Sequence, residues 1–236
     1  MYKKDGRFDS PDDKAEIWRY MDLAKLVWML DKQCLYFCNI ARLAETDRFE
    51  ASYWPMGFLK KLPSDAAKDF AERMKSCGPP LTVNCWHLND FESAAMWNLY
   101  SEINKGIAIQ STFGALVGAF HRFPDDVHIG KIRYIDYRKD KFKGESPEIF
   151  EPVMTKRKSF EHENELRAVI WDTSDSTPRT DDGSVLASVD IKALIKGIFL
   201  SPGSPLWVKE IVESVAGKYG IQTPVKLSQL AEEPLY

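Results

Sequence analysis

Between residues 163 and 171 the run Glu-Asn-Glu-Leu-Arg-Ala-Val-Ile-Trp drives ionisable groups straight into an apolar stretch. Read as a strand, its period-two alternation puts Leu166, Ala168 and Ile170 on one face and Glu163, Glu165, Arg167, Val169 and Trp171 on the other. Charge is costly to bury unless it is paired or used, so this edge is either chemical or the solvated end of a core strand.

The same pattern reading yields elements along the rest of the chain. Ile17 to Tyr20 predicts a short strand, and Asp22 is placed to cap an amphipathic helix through Leu23, Leu26, Val27 and Leu30. Leu35 to Phe37 predicts a strand, and Asn39 to Pro63, which has no steady period, a long ordered loop. Ser64 is expected to cap a helix from Asp65 to about Lys75, closed by Gly78-Pro79-Pro80. A strand from Leu81 to Trp86 follows, then a helix from Phe91 to Ile103 capped by Asn89 or Asp90, with Met96, Tyr100 and Ile103 as its core ladder. Residues 107–111 predict a strand, 113–123 a helix and 129–134 a strand. Residues 136–152 and 172–184 look irregular. Strands at 186–189, 198–200 and 225–227, with a helix from Trp207 to Tyr219 stopped by Gly220, complete a mixed α+β single domain, its mixed or antiparallel sheet covered by helices. Residues 1–13 are expected as a flexible polar tail and 14–236 as the domain.

Composition narrows the partners. Thirty-two Lys and Arg against thirty-five Asp and Glu leave a formal net charge of -3, so no global field draws the chain to a nucleic-acid backbone or anionic membrane. An anionic ligand must therefore meet a local cluster. The first thirteen residues are not a secretory signal, nothing approaches a membrane span, and four cysteines do not suggest a disulfide scaffold, which together predict a cytoplasmic protein. Cys34, Cys38, Cys85 and His87 fall on strands without the knuckle spacing of structural zinc, so no metal is expected.

Several residues carry candidate chemistry, each beside an ordinary alternative. Glu165 and Glu163 would supply the carboxylates that glycosidic chemistry uses at an oxocarbenium-like centre, or Glu165 simply pairs with Arg167. Arg19, between Trp18 and Tyr20, is suited to grip a phosphate while an aromatic ring packs on a base or nicotinamide, or it pairs with Asp22 or Asp13. Ser111 and Thr112, at a strand-to-helix junction, would face a ligand or cap the helix. His87 would be a base or pocket rim, or a satisfied core histidine. Asp47, Phe49 and Glu50 would reach a site from the long loop or form a solvated turn. Lys156-Arg157-Lys158 reads as a wet helix face or a dock for a polyanion.

Taken in order, Ile17-Trp18-Arg19-Tyr20, Leu35-Tyr36-Phe37, Asp47-Arg48-Phe49-Glu50, Trp86 with Asn89, Met96-Trp97 to Tyr100, Gly106 to Ile109 and Phe160 to Arg167 resemble a bacterial family catalogued as a domain of unknown function. In that family the loop element usually reads Asp-Pro-x-Glu, where this chain has Arg48. The order of Arg19, Ser111-Thr112 and Glu163-Asn164-Glu165 also resembles the signature of ADP-ribosyltransferases, although Phe113 stands where the third position of their Ser-Thr-Ser element falls. That resemblance implies an ADP-ribosyltransferase-like fold and NAD as substrate. It implies Arg19 on a phosphate, Ser111 steadying the pocket, Glu165 at the nicotinamide ribose and Glu163 towards a protein or nucleic-acid acceptor, in toxin or phage-defence biology. No cofactor beyond this nucleotide or dinucleotide is implied. Two other classes compete: a non-catalytic protein binding a nucleotide or a partner, and a metal-dependent nuclease using Glu163, Glu165 and Asp136, which Arg167 disfavours where such sites want lysine.

Overall fold

The computed structural model describes residues 1–46, 49, 63–65, 68, 81–100, 105–136, 138–140, 150–171 and 177–233. In chain order the strands are β1 (Glu16–Met21), β2 (Cys34–Asn39), β3 (Leu81–Leu88), β4 (Ile107–Thr112), β5 (Val127–Lys131), β6 (Arg133–Ile135), β7 (Thr155–Arg157), β8 (Glu165–Trp171), β9 (Val185–Ser188), β10 (Gly197–Leu200) and β11 (Val225–Leu227). The helices are α1 (Leu23–Lys32), α2 (Ile40–Thr46), α3 (Ala94–Tyr100), α4 (Phe113–Ala119), α5 (Ile191–Leu194) and α6 (Leu206–Lys218).

One mostly antiparallel sheet runs β11-β10-β4-β1-β3-β2-β9, with β8 on the other edge of β3 and β5 beyond it, so this is a mixed α+β domain. The alternation read from β8 holds: Leu166, Ala168 and Ile170 join the main core with Ile17, Leu26 and Phe120, while Val169 and Trp171 pack with Leu81, Ile132 and Phe150 in a second cluster. Trp18, Tyr20, Trp97 and Phe199 form a third cluster on the opposite face of β1.

Local chemistry explains the helix bounds. The Asp22 carboxylate accepts from the Lys25 amide (2.8 Å), Leu26, Met29 and Leu30 turn one face of α1 into the core, and Gln33 ends it in the left-handed region at φ 50°. In α6 the buried face is Val208, Val212 and Ala216, and Gly220 at φ 74° lets the chain turn back.

The structure departs from the expected elements in several places. Residues 40–46, expected within a loop, are helix α2, begun by the Asn39 side-chain oxygen accepting from the Ala41 amide (2.9 Å). Helix α3 starts at Ala94 because Ser93 caps it, its hydroxyl accepting from Met96 (3.4 Å), while Asn89 folds onto the Phe91 carbonyl (3.0 Å). The strand expected over 129–134 is two strands, because past Lys131 the backbone leaves β8 for β7. Lys156 and Arg157, expected on a wet helix face, lie on β7, with Lys156 buried.

The polar N-terminal segment lies along β5. Tyr2 bridges Val127, Lys131 donates its amide to the Asp9 carbonyl (2.8 Å), and Phe8 is buried, stacked on His128 at 5.2 Å. Phe8 sits where Gly130 leaves room: a Cβ there would lie 2.9 Å from the Phe8 Cβ. Asp47, Arg48, Glu50 and most of the helix expected over 65–75 lie outside the described residues. Among the described residues no helix is long and apolar enough to cross a membrane.

Candidate functional site

The site begins with the three neighbours of β3. One edge of β3 pairs with β8 from Leu81↔Trp171 to His87↔Glu165. The other edge is shared: its start pairs with β2 at Thr82 and Val83, and its end with β1 at His87 and Leu88. Between those ladders, at residues 84–86, β1 and β2 part and the sheet forks. Asn84 spans the gap towards β2, donating to the Tyr36 carbonyl (2.8 Å) and accepting from the Trp86 indole (2.7 Å). On the β1 side Arg19 donates to the Cys85 carbonyl (3.5 Å), with Trp86 beneath it, 5.9 Å from guanidinium carbon to ring centre.

The fork opens a cleft of about 1080 Å³, whose lining includes Arg19, Tyr20, Trp86, His87, Glu163 and Glu165. That is the upper end of the range for small-ligand pockets, roughly 300–1,000 Å³, and spacious enough for a dinucleotide. Arg19 is half-buried, no carboxylate pairs with it among the described residues, and burial pushes its pKa below the usual value. A guanidinium remains cationic even so, which leaves this part of the cleft an open positive charge.

At the other end the carboxylates meet two cations. Lys156, on β7, places its ammonium 2.6 Å from Glu163 Oε2 and 3.3 Å from Glu165 Oε2. Arg167 donates from Nε to Glu165 Oε1 (2.7 Å) and from Nη1 to the Val153 carbonyl (2.7 Å). All four side chains are buried. Burial alone would raise the pKa of Glu165, but Arg167 and Lys156, helped by hydrogen bonds from Arg167 and the Cys85 thiol, hold it down at about 2.

The two carboxylates do not share a strand face as alternation predicts. Glu163 closes a 3-10 segment (Lys158–Glu163), and Asn164 then takes the left-handed conformation at φ 36° before β8 begins at Glu165. The Asn164 carbonyl accepts from the Leu88 amide (2.9 Å), which ties this bend to the end of β3. Tyr134 anchors the start of β8, its hydroxyl accepting from the Glu165 amide (2.8 Å).

His87 is 4% exposed and stands beside Glu163, with Nδ1 2.6 Å from the Glu163 carbonyl. A carbonyl only accepts, so Nδ1 carries the proton; burial lowers the pKa, against the pull of Glu163, and keeps the ring neutral. Its Nε2 is buried without a hydrogen-bond partner among the described residues. Tyr20 approaches His87 edge-on (6.2 Å), and its hydroxyl accepts from the Ser93 amide (2.8 Å), with burial raising its pKa to about 12.

The cleft thus gathers Arg19, Tyr20, His87, Glu163 and Glu165, and leaves out Ser111 and Thr112. Ser111 is fully buried on β4, where its hydroxyl donates to the Leu194 carbonyl (2.6 Å). Thr112 caps α4, accepting from the Ala115 amide (3.2 Å). Each hydroxyl thus makes a structural bond, which for Thr112 is the capping alternative read from the sequence. Sequence reading singled out Lys156 within a basic run but not its pairing with the two glutamates, because a three-residue strand is too short to show a period, and it placed Tyr100 in the core. Tyr100 is instead an exposed ring at the rim whose hydroxyl donates to Glu163 Oε1 (3.2 Å). Among the described residues no three His, Cys, Asp or Glu side chains cluster to hold a metal ion.

Fold and cleft together define an α+β domain with a cleft at a sheet fork, lined by charged and aromatic side chains among others. No protein-family model matches the chain, and no curated protein matches it. Among solved structures it is similar to DarT of Thermus sp. 2.9 in complex with NAD+, with a TM-score of 0.43 and 11% identity, over 95% of this chain and 100% of that one.

Proposed function

We propose that this chain is an ADP-ribosyltransferase-like enzyme that cleaves NAD. The observation that carries the reading is the convergence, in one dinucleotide-sized cleft, of a guanidinium with no carboxylate partner among the described residues and a pair of carboxylates. Arg19 takes the pyrophosphate, for which a fixed fork of donors is the matching shape. The aromatic side chains of Tyr20 and Trp86 line the same cleft.

In the reaction the bond between ribose C1′ and the nicotinamide nitrogen breaks, its electron pair leaving with nicotinamide. The positive charge left on the ribose is stabilised by the carboxylate end. The oxygen of an acceptor hydroxyl, or of water, then bonds to C1′ and releases its proton to a carboxylate and on to solvent, giving ADP-ribose on the acceptor, nicotinamide and a proton. The acceptor class, protein or nucleic acid, is left to the assay.

Incubation with NAD labelled in the nicotinamide and in the adenylate, with candidate protein and nucleic-acid acceptors, tests this. The expected outcome is nicotinamide release by the native chain and none above background by the Glu163→Gln, Glu165→Gln double variant. Equal, background release by both overturns the enzymatic reading.

A second reading has its own observation: Glu163, Glu165, Lys156 and Arg167 neutralise one another, as in a cleft built to hold a ligand without reacting it. NAD affinity by calorimetry without nicotinamide release would favour that reading.

A further inference from the structure

Two carboxylates face the cleft, and their surroundings are unequal. Both Glu165 oxygens are taken, Oε1 by Arg167 and Oε2 by Lys156, with the Cys85 thiol as a third donor. Arg167 is 1% exposed and Lys156 is buried, so neither donor can leave without stranding a charge. Glu163 differs at one oxygen. Its Oε2 is held by Lys156 (2.6 Å), but among the described residues Oε1 has only the Tyr100 hydroxyl, at 3.2 Å, from an exposed ring on the cleft rim. For that phenol to rotate away, one long hydrogen bond must break.

We infer that Glu163 is the carboxylate that works on the ligand and Glu165 is a positioning residue that holds Lys156 and Arg167 in place. The inference rests on the NAD-cleaving reading and inverts the roles implied by the sequence resemblance, which put Glu165 at the ribose. Tyr100 occupies Oε1 until the ligand arrives; Glu163 then faces the developing charge at ribose C1′ and accepts the proton released when the acceptor oxygen bonds there. His87 steadies Glu163 from behind through the Glu163 main-chain carbonyl (2.6 Å). Glu165 acts at one remove: without its charge Lys156 and Arg167 each lose a counter-ion.

Three proteins, native, Glu163→Gln and Glu165→Gln, are compared by nicotinamide release at a temperature where circular dichroism shows each folded, and by melting temperature. E163Q is expected to lose more than about 100-fold in kcat, the scale of a positioned acid or base, with the smaller drop in Tm. E165Q is expected to stay within about tenfold of native kcat with the larger drop in Tm. The assignment is overturned if folded E165Q loses turnover as completely as E163Q, or if E163Q keeps native turnover. Absence of nicotinamide release by the native chain would sink the NAD-cleaving reading instead. The assignment would then stand or fall on the melting temperatures, and E163Q lowering Tm as much as E165Q would overturn it.

Discussion

Arg167 and Arg19 are two guanidiniums lining one cleft, and they are treated in opposite ways. Arg167 is closed off: Glu165 and the Val153 carbonyl take its donors, and it lies between core and cleft at 1% exposure. Among the described residues Arg19 is held by one long hydrogen bond, to a carbonyl, and rests against an indole face. A buried ion pair is a weak source of net stability but costly to break, whereas a cation left without its counter-ion is a standing attraction for an anion. The contrast separates a charge that holds the walls from a charge that receives.

The largest expected effect breaks the closed side. Arg167→Met should cost about 3–5 kcal/mol in urea denaturation at neutral pH, the usual penalty for removing one partner from a buried ion-pair network. The penalty has a sign in pH. The Glu165 pKa falls from 4.5 to about 2 on folding, so its contribution is complete above about pH 4.5 and disappears as the pH falls through 2. The native advantage over Arg167→Met should therefore shrink across that window, and a constant difference would break the comparison. Next in size, Arg19→Met should leave Tm unchanged or higher while weakening NAD binding by about 1.5–3 kcal/mol, the worth of hydrogen bonds to a charged group. Calorimetry at fixed salt reads it, and a folded variant with native affinity would return Arg19 to a structural role. Smallest, Ser111→Ala should cost about 1 kcal/mol, the net worth of its bond to Leu194, and leave NAD affinity untouched.

Much of the scaffold was legible in the chain. Strands 17–20, 35–37, 81–86 and 198–200 and the Asp22-capped helix were marked by apolar period and a cap residue, and each formed within a few residues of its expected bounds. What escaped was non-local or short. Nothing in the order of residues says that β3 is shared by β1 and β2, because a fork is a property of pairing and not of any one strand. Lys156 reads as part of a basic run until β6 pairs with β7 and turns it inward. Ser111 and Thr112 read equally as ligand contacts and as ordinary hydroxyls, and only the Leu194 carbonyl and the Ala115 amide decide between them. Arg19 and the carboxylates were legible as types; their meeting in one cleft was not.

Asn164 carries a consequence out of proportion to its size. With its backbone in the left-handed region, the chain arrives at β8 having swung Glu163 out of line, so that both acids point at one ammonium instead of standing two residues apart along a ribbon. The arrangement of charge is therefore governed by an uncharged amide whose short side chain tolerates that twist, where a branched one would resist it. In this protein the electrostatics of the pocket are set by a swivel in the main chain as much as by any group that titrates.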